Sequence, residues 1–173
     1  MTCDMDIENI YNSIAGLSRE IVRECSERGV KISTAESCTG GMISGAVTSV
    51  SGSSAVIELG VCSYSNRIKH EVLHVPAAVL ERFSEYSVEC AAEMAEGVRA
   101  LSGADYGVST TGVAGPTGGS EQHPVGEVCI AVSSDSGCRS ERYVFAPGEP
   151  DRELIRALAA EKALTMLLEE IKR

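Results

Sequence analysis

The chain has 173 residues, 43% of them hydrophobic and 23% charged, which fits one domain with one core of ordinary size. Its 25 acidic residues outnumber 15 basic ones, giving a formal charge of −10, and the basic residues are scattered. Nucleic acid is therefore not expected as a partner, although a local basic pocket for one phosphate stays open.

The amino-terminal stretch MTCDMDIENI carries acids where a signal peptide carries bases, and no apolar run reaches the length of a membrane span. A soluble, cytoplasmic protein without membrane attachment is expected. Seven cysteines, at positions 3, 25, 38, 62, 90, 129 and 138, include no CxxC pair. A disulfide framework or zinc site would need different spacing, so reduced and mostly buried thiols are expected. With no Trp and two Phe, the core must rest on Val, Ile, Leu, Ala and Met.

In chain order, Ile7, Ile10, Ile14, Leu17 and Ile21 repeat at three- and four-residue steps and predict an amphipathic helix ended by Gly29. Val30 to Thr34 reads as a short strand. Glu36-Ser37-Cys38-Thr39-Gly40-Gly41 is a polar, glycine-rich turn, followed by a helix from Met42 to about Val50. Residues 51–54 form a turn, and Val56 to Tyr64 is apolar enough for a buried strand. Asn66 to Leu73 predicts a short helix, and Pro76 begins another. Val88, Ala91, Ala95, Val98 and Leu101 form a second helical stripe, with Ser87 placed to cap it. Tyr106 to Thr110 is a strand, Thr111 to Gly119 a glycine-rich loop, and Val125–Ser133 with Arg139–Phe145 a hairpin. Ile155, Ala159, Ala163, Met166, Leu167 and Ile171 mark the last helix. Alternating helices and strands closed by a hairpin predict a three-layer α/β/α sandwich around a mixed β-sheet.

Ser37 falls where a strand ends and a helix begins. Free amides there can bind a phosphate or stabilise an oxyanion, with Gly40 and Gly41 allowing close approach; equally, Ser37 or Thr39 can simply cap the helix. Cys38 competes with Ser37 as a nucleophile. Lys69 falls in the first turn of its predicted helix, against the dipole, where it would lose proton affinity and could act as a base; the alternative is an ordinary surface lysine. The Thr111–Gly119 loop is a phosphate cradle or a structural turn. Arg152 and Arg156 lie one turn apart and could grip a phosphate or carboxylate, or pair with neighbouring acids. His70 and His74 are four apart, but no third metal ligand is evident.

These pieces, taken together, resemble one family. Thr34-Ala35-Glu36-Ser37-Cys38-Thr39-Gly40-Gly41 resembles the TAESCTGG signature of the CinA carboxy-terminal domain. Gly52-Ser53-Ser54-Ala55 resembles its GSSA turn, Tyr64-Ser65-Asn66 with Lys69 its YSNxxK, and Met94-Ala95-Glu96-Gly97 its MAxG helix. Thr111-Gly112-Val113-Ala114-Gly115-Pro116 with Gly118-Gly119 resembles TGIAGPxGG, and Pro124-Val125-Gly126 with Val128 resembles PVGxV. The likeness runs from about residue 5 to the end with the motifs in order.

The family includes nicotinamide-nucleotide amidases, so the resemblance implies hydrolysis of the carboxamide of nicotinamide mononucleotide with no metal or cofactor. It implies Ser37 as nucleophile, Lys69 as base and Tyr64 near the same proton path. It places the oxyanion on amides from Thr39 to Gly41. The implied substrate cradle comprises Glu36, Thr39, Gly40 and Gly41, then Asn66, then Thr111, Gly112, Gly115, Gly118 and Gly119 of the loop, and Arg152. The partner would be a small pyridine nucleotide, with room for a homo-oligomer. Two departures stand out. Where the family often has HGAVS before the long helix, this chain has Phe83-Ser84-Glu85-Tyr86-Ser87. It also has no room for the molybdopterin-type domain of larger relatives, so their pyrophosphatase activity is expected to be absent. A binding module without turnover, and an amidase for another amide, are the alternative readings.

Overall fold

The structure, a computed structural model, describes residues 2–147 and 151–173, with side chains from Ile7 onward. Helix α1 (Thr2–Arg28) leads into β1 (Ile32–Glu36), α2 (Met42–Thr48) and a single 3-10 turn at Ser53–Ala55. There follow β2 (Ile57–Cys62), α3 (Asn66–Leu73), α4 (Ala77–Phe83) and α5 (Val88–Ser102). Then come β3 (Tyr106–Gly112), β4 (Glu127–Ser134), β5 (Gly137–Val144) and α6 (Arg152–Ile171).

The local chemistry explains these bounds. Gly29 ends α1 at a φ of 67°, a conformation that glycine adopts without a Cβ penalty. The Ser87 hydroxyl accepts from the Cys90 amide at 3.1 Å, and the Asp151 carboxylate accepts from the Glu153 and Leu154 amides, so α5 and α6 each start on a satisfied cap.

The sheet has the order β2-β1-β3-β4-β5, parallel from β2 to β3 and antiparallel across β4 and β5. It is the mixed sheet the alternation predicted. Helices α1, α2 and α6 cover one face, where Ile32, Val108, Val128, Ile130 and Val132 meet Ile21, Leu164 and Leu167. Helices α3, α4 and α5 cover the other, where Cys129 and Ala131 meet Ala91 and Ala95. The period of two thus sends successive β4 residues into opposite cores, and every residue of β4 is buried. A Cβ on Gly107 would stand 2.2 Å from the Ala95 carbonyl oxygen, and one on Gly97 would stand 2.0 Å from that of Leu73. Those two glycines let α5 lie close to both the sheet and the end of α3, which fixes the helix carrying Lys69.

Two expectations shift. The first strand runs two residues later than predicted, so Glu36 is its last residue rather than part of the turn. The stretch Val56–Tyr64 is not a buried strand: β2 is shorter, lies at the sheet edge and alternates half-buried with exposed positions. Glu58, Gly60 and Cys62 occupy the exposed positions, which suits a strand covered on one face.

Strands β1, β2 and β3 are parallel, so the segments that follow them, 37–41, 63–65 and 113–126, emerge at the same end of the sheet. That end holds the site, as expected for the carboxyl ends of parallel strands.

Candidate active site

Ser37 directly follows β1, and its amide continues the sheet by donating to the Thr110 carbonyl at 2.9 Å. Gly40 and Gly41, both at positive φ (62° and 94°), turn the chain tightly into α2. Two side chains lock this turn. The Glu36 carboxylate, fully buried, accepts from the amides of Gly41, Ile43 and Ser44 and from the hydroxyls of Thr39 and Ser44. It satisfies the first turn of α2 as a cap from within. From the opposite end of the chain, Arg156 donates from Nε to the Cys38 carbonyl at 3.2 Å and from Nη2 to that of Thr39 at 2.8 Å.

Lys69 reaches this turn from α3. The helix starts on Ser65, whose hydroxyl accepts from the Ile68 amide. Lys69 is only 2% exposed, and its Nζ donates to Ser37 Oγ at 3.1 Å and to the Ser63 carbonyl at 3.0 Å. Among the described residues no carboxylate forms an ion pair with it. Burial pushes its pKa down from the usual lysine value, against smaller opposing effects of Cys90, Glu85 and Cys38. A largely desolvated amine held against a hydroxyl is the arrangement of a general base with its nucleophile. The rival surface-lysine reading is thereby removed. Cys38 is not a competing nucleophile: burial raises its thiol to about 12, leaving almost no thiolate near neutral pH.

The Ser37 hydroxyl opens into a small cleft of about 190 Å³. Of the residues expected there, Ser37, Tyr64, Asn66, Lys69, Gly112, Gly115, Gly118 and Arg152 line it. Glu36, Thr39, Gly40, Gly41, Thr111 and Gly119 do not. The first two face inward, Thr39 donating or accepting between Glu36 and Thr110 at 2.7 Å each. Thr111 is likewise buried, its hydroxyl spent on the Glu85 carbonyl. Glu36, Thr39 and Thr111 thus lie buried behind the cleft, whereas Gly40 and Gly119 are exposed outside it.

Tyr64 also differs from expectation. It is 62% exposed, and its hydroxyl accepts from Arg152 Nη2 at 2.8 Å, while Arg152 Nη1 donates to the Gly115 carbonyl at 2.7 Å. It marks the rim, and the direct Lys69–Ser37 contact leaves no relay for it to perform. Nor do the amides of Gly40 and Gly41 remain free for an oxyanion, since they donate to the Ser37 carbonyl and to Glu36. Among the described residues, the amides of Cys38 and Thr39 have no protein oxygen acceptor. Arg156 grips backbone carbonyls, so it is not an anion site. His70 Nδ1 bonds the Val75 carbonyl and His74 is the left-handed C-cap of α3, so the pair presents no common metal face.

Sequence reasoning missed Glu85 and Tyr86, which also line the cleft. The signal was present in the altered segment Phe83–Ser87, but not its direction.

Comparison with known proteins agrees with this architecture. The profile of the CinA C-terminal domain matches residues 14–171. A CinA-like protein of Anaeromyxobacter dehalogenans is 43% identical over 147 residues, covering 85% of this chain and 35% of that protein. Another, from Synechococcus, is 44% identical over 153 residues, covering 87% of this chain and 36% of that protein. The chain thus spans about a third of the length of the curated relatives it matches. Among solved structures, competence/damage-inducible protein CihA from Agrobacterium tumefaciens superposes with a TM-score of 0.86 at 38% identity, covering 93% of this chain and 96% of that one. The competence damage-inducible protein A of Klebsiella pneumoniae gives 0.87 at 35% identity, covering 92% and 98%. On the profile match, the shared sheet and the helices that flank it, this chain belongs to the CinA C-terminal domain family.

Proposed function

We infer that this chain hydrolyses the carboxamide of nicotinamide mononucleotide, releasing ammonia and nicotinic acid mononucleotide through an acyl-serine intermediate. The observation that carries the reading is the buried Lys69 amine, without an ion-pair partner among the described residues, 3.1 Å from a serine hydroxyl at the wall of an open cleft.

In the base form, Lys69 keeps its N–H bond to the Ser63 carbonyl and takes the Ser37 proton. Ser37 Oγ adds to the carboxamide carbon, and the oxyanion draws on the amides of Cys38 and Thr39, which face the Cys38 sulfur and, among the described residues, no protein oxygen. The Lys69 ammonium then protonates the departing nitrogen, the C–N bond breaks and ammonia leaves. Water, deprotonated by the same amine, releases the acid and regenerates Ser37. Arg152 at the rim, with donors beyond those spent on Tyr64 and Gly115, supports binding of the phosphate. The free, buried thiols at Cys25, Cys38, Cys90 and Cys129 suit the cytoplasmic setting of such a reaction.

The test is ammonia release from nicotinamide mononucleotide with metal chelated, for the native chain, Ser37→Ala and Lys69→Ala. Release by the native chain that vanishes in both folded variants is expected. Absence of native release, or release that survives Ser37→Ala, would overturn the reading. A second measurement concerns the nucleophile turn. Arg156→Ala frees the Cys38 and Thr39 carbonyls, so kcat is expected to fall about 10- to 100-fold through misplacement of Ser37, with KM changed only a few-fold. A KM effect alone would place Arg156 in substrate binding instead.

A further inference from the structure

Glu85 and Tyr86 belong to the segment that departs from the family pattern, and both residues line the cleft with Ser37 and Lys69. Their backbone is pinned at several points. The Thr111 hydroxyl donates to the Glu85 carbonyl, the Ser84 hydroxyl accepts from the Tyr86 amide at 3.2 Å, and Cys129 Sγ donates to the Tyr86 carbonyl at 3.1 Å. Ser84 itself sits at φ 71°, ψ 167°, a region that strongly favours glycine. The family pattern HGAVS has glycine at this second position, with Ala and Val at the next two, so the strained serine sets the register. Glu85 and Tyr86 therefore stand where the pattern is apolar.

Glu85 is the one carboxylate among the residues lining the cleft, and among the described residues it has no ion-pair partner. The other charged side chains there are Lys69, which burial drives toward its neutral form, and Arg152, which is held by Gly115 and Tyr64. The Tyr86 ring is fixed beside it by packing on His123, with centroids 5.3 Å apart. A half-buried carboxylate next to a fixed aromatic ring is the chemistry that recognises an organic cation.

We propose that Glu85 and Tyr86 form a recognition wall for a positively charged aromatic ring, making the cleft selective for cationic over neutral aromatic carboxamides. This deepens the amidase reading and rests on it for the identity of the ligand.

The experiment measures binding in a Ser37→Ala background, where ligands are not consumed. One ligand is nicotinamide mononucleotide; the other is the phosphorylated benzamide riboside in which carbon replaces the charged ring nitrogen. The expected result is about tenfold tighter binding of the cation, reduced to about twofold or less by adding Glu85→Gln and through weaker binding of the cation alone. Glu85→Ala, which restores the residue of the family pattern, is expected to behave likewise. A preference that survives both variants, equal loss of both ligands, or no binding of either would overturn the proposal. Ammonia release is assayed in parallel with Ser37 intact. Its absence would overturn the amidase reading, while the binding preference still decides the role of Glu85.

Discussion

Lys69→Met is expected to abolish ammonia release and at the same time raise the melting temperature. The loss of turnover, at least about 10³-fold, follows from removing the proposed base, which among the described residues is the one amine in contact with Ser37 Oγ. The gain in stability follows from the same burial. Folding withdraws the amine from water without giving it a carboxylate, so its pKa falls below that of the unfolded chain. The sign is fixed by linkage: between the folded and unfolded values the unfolded chain binds more protons, so this group makes stability rise with pH. The penalty is full below the depressed folded pKa and vanishes as pH rises through the unfolded value of about 10.4. Methionine fills similar volume without the charge, at the cost of one donor to the Ser63 carbonyl. The net gain is about 1–2 kcal/mol near neutral pH, or roughly 2–6 °C. Thermal melts of both proteins at pH 7 and pH 10 check this: the advantage should shrink at the higher pH. A variant that melts lower than the native chain would show that Lys69 is stabilised in its site. The native rate should also decline on the acid side as Lys69 is protonated.

Glu36 is expected to show the opposite behaviour, with stability and activity falling together. Five donors converge on its carboxylate, and all of them belong to the segment that presents Ser37. Alanine leaves the α2 amides and two hydroxyls without an acceptor in a buried setting, at a cost of about 3–5 kcal/mol. Glutamine keeps one oxygen but turns an N–H toward amide donors, so it should cost about 2–4 kcal/mol. Urea unfolding combined with ammonia release checks both. A Glu36→Gln protein of native stability and no activity would instead place the carboxylate in the chemistry.

How the site could be read from sequence depends on the range of each interaction. Ser37 and Lys69 sit in local patterns, a strand-to-helix turn and a helix start, so their residue types drew attention before their proximity was known. Glu36 drew attention too, but as a substrate contact. The clue to its structural role was also local: a Thr-Gly-Gly turn and a helix start without an N-cap side chain must find an acceptor somewhere. Arg156 had no such clue, because its partners lie 117 and 118 positions away. The same holds for Tyr64, whose exposure depends on how Arg152 crosses the rim. In the fold, the layer order followed from the alternation of elements. The misreading of β2 came from counting its apolar residues as a run when Ile57, Leu59 and Val61 alternate with Glu58 and Gly60.

The interior position of β1 in the sheet has a consequence for how the protein can fail. Each of its residues is buried, and both of its edges are hydrogen-bonded, to β2 and to β3. Amides in such a strand exchange with solvent only through the largest opening events of the fold. The proposed nucleophile, Ser37, is the next residue along, with its own amide still in that ladder. Ser37 therefore cannot become locally disordered while the rest stays native. Heat, denaturant or a distant destabilising change should extinguish it only as the whole fold melts.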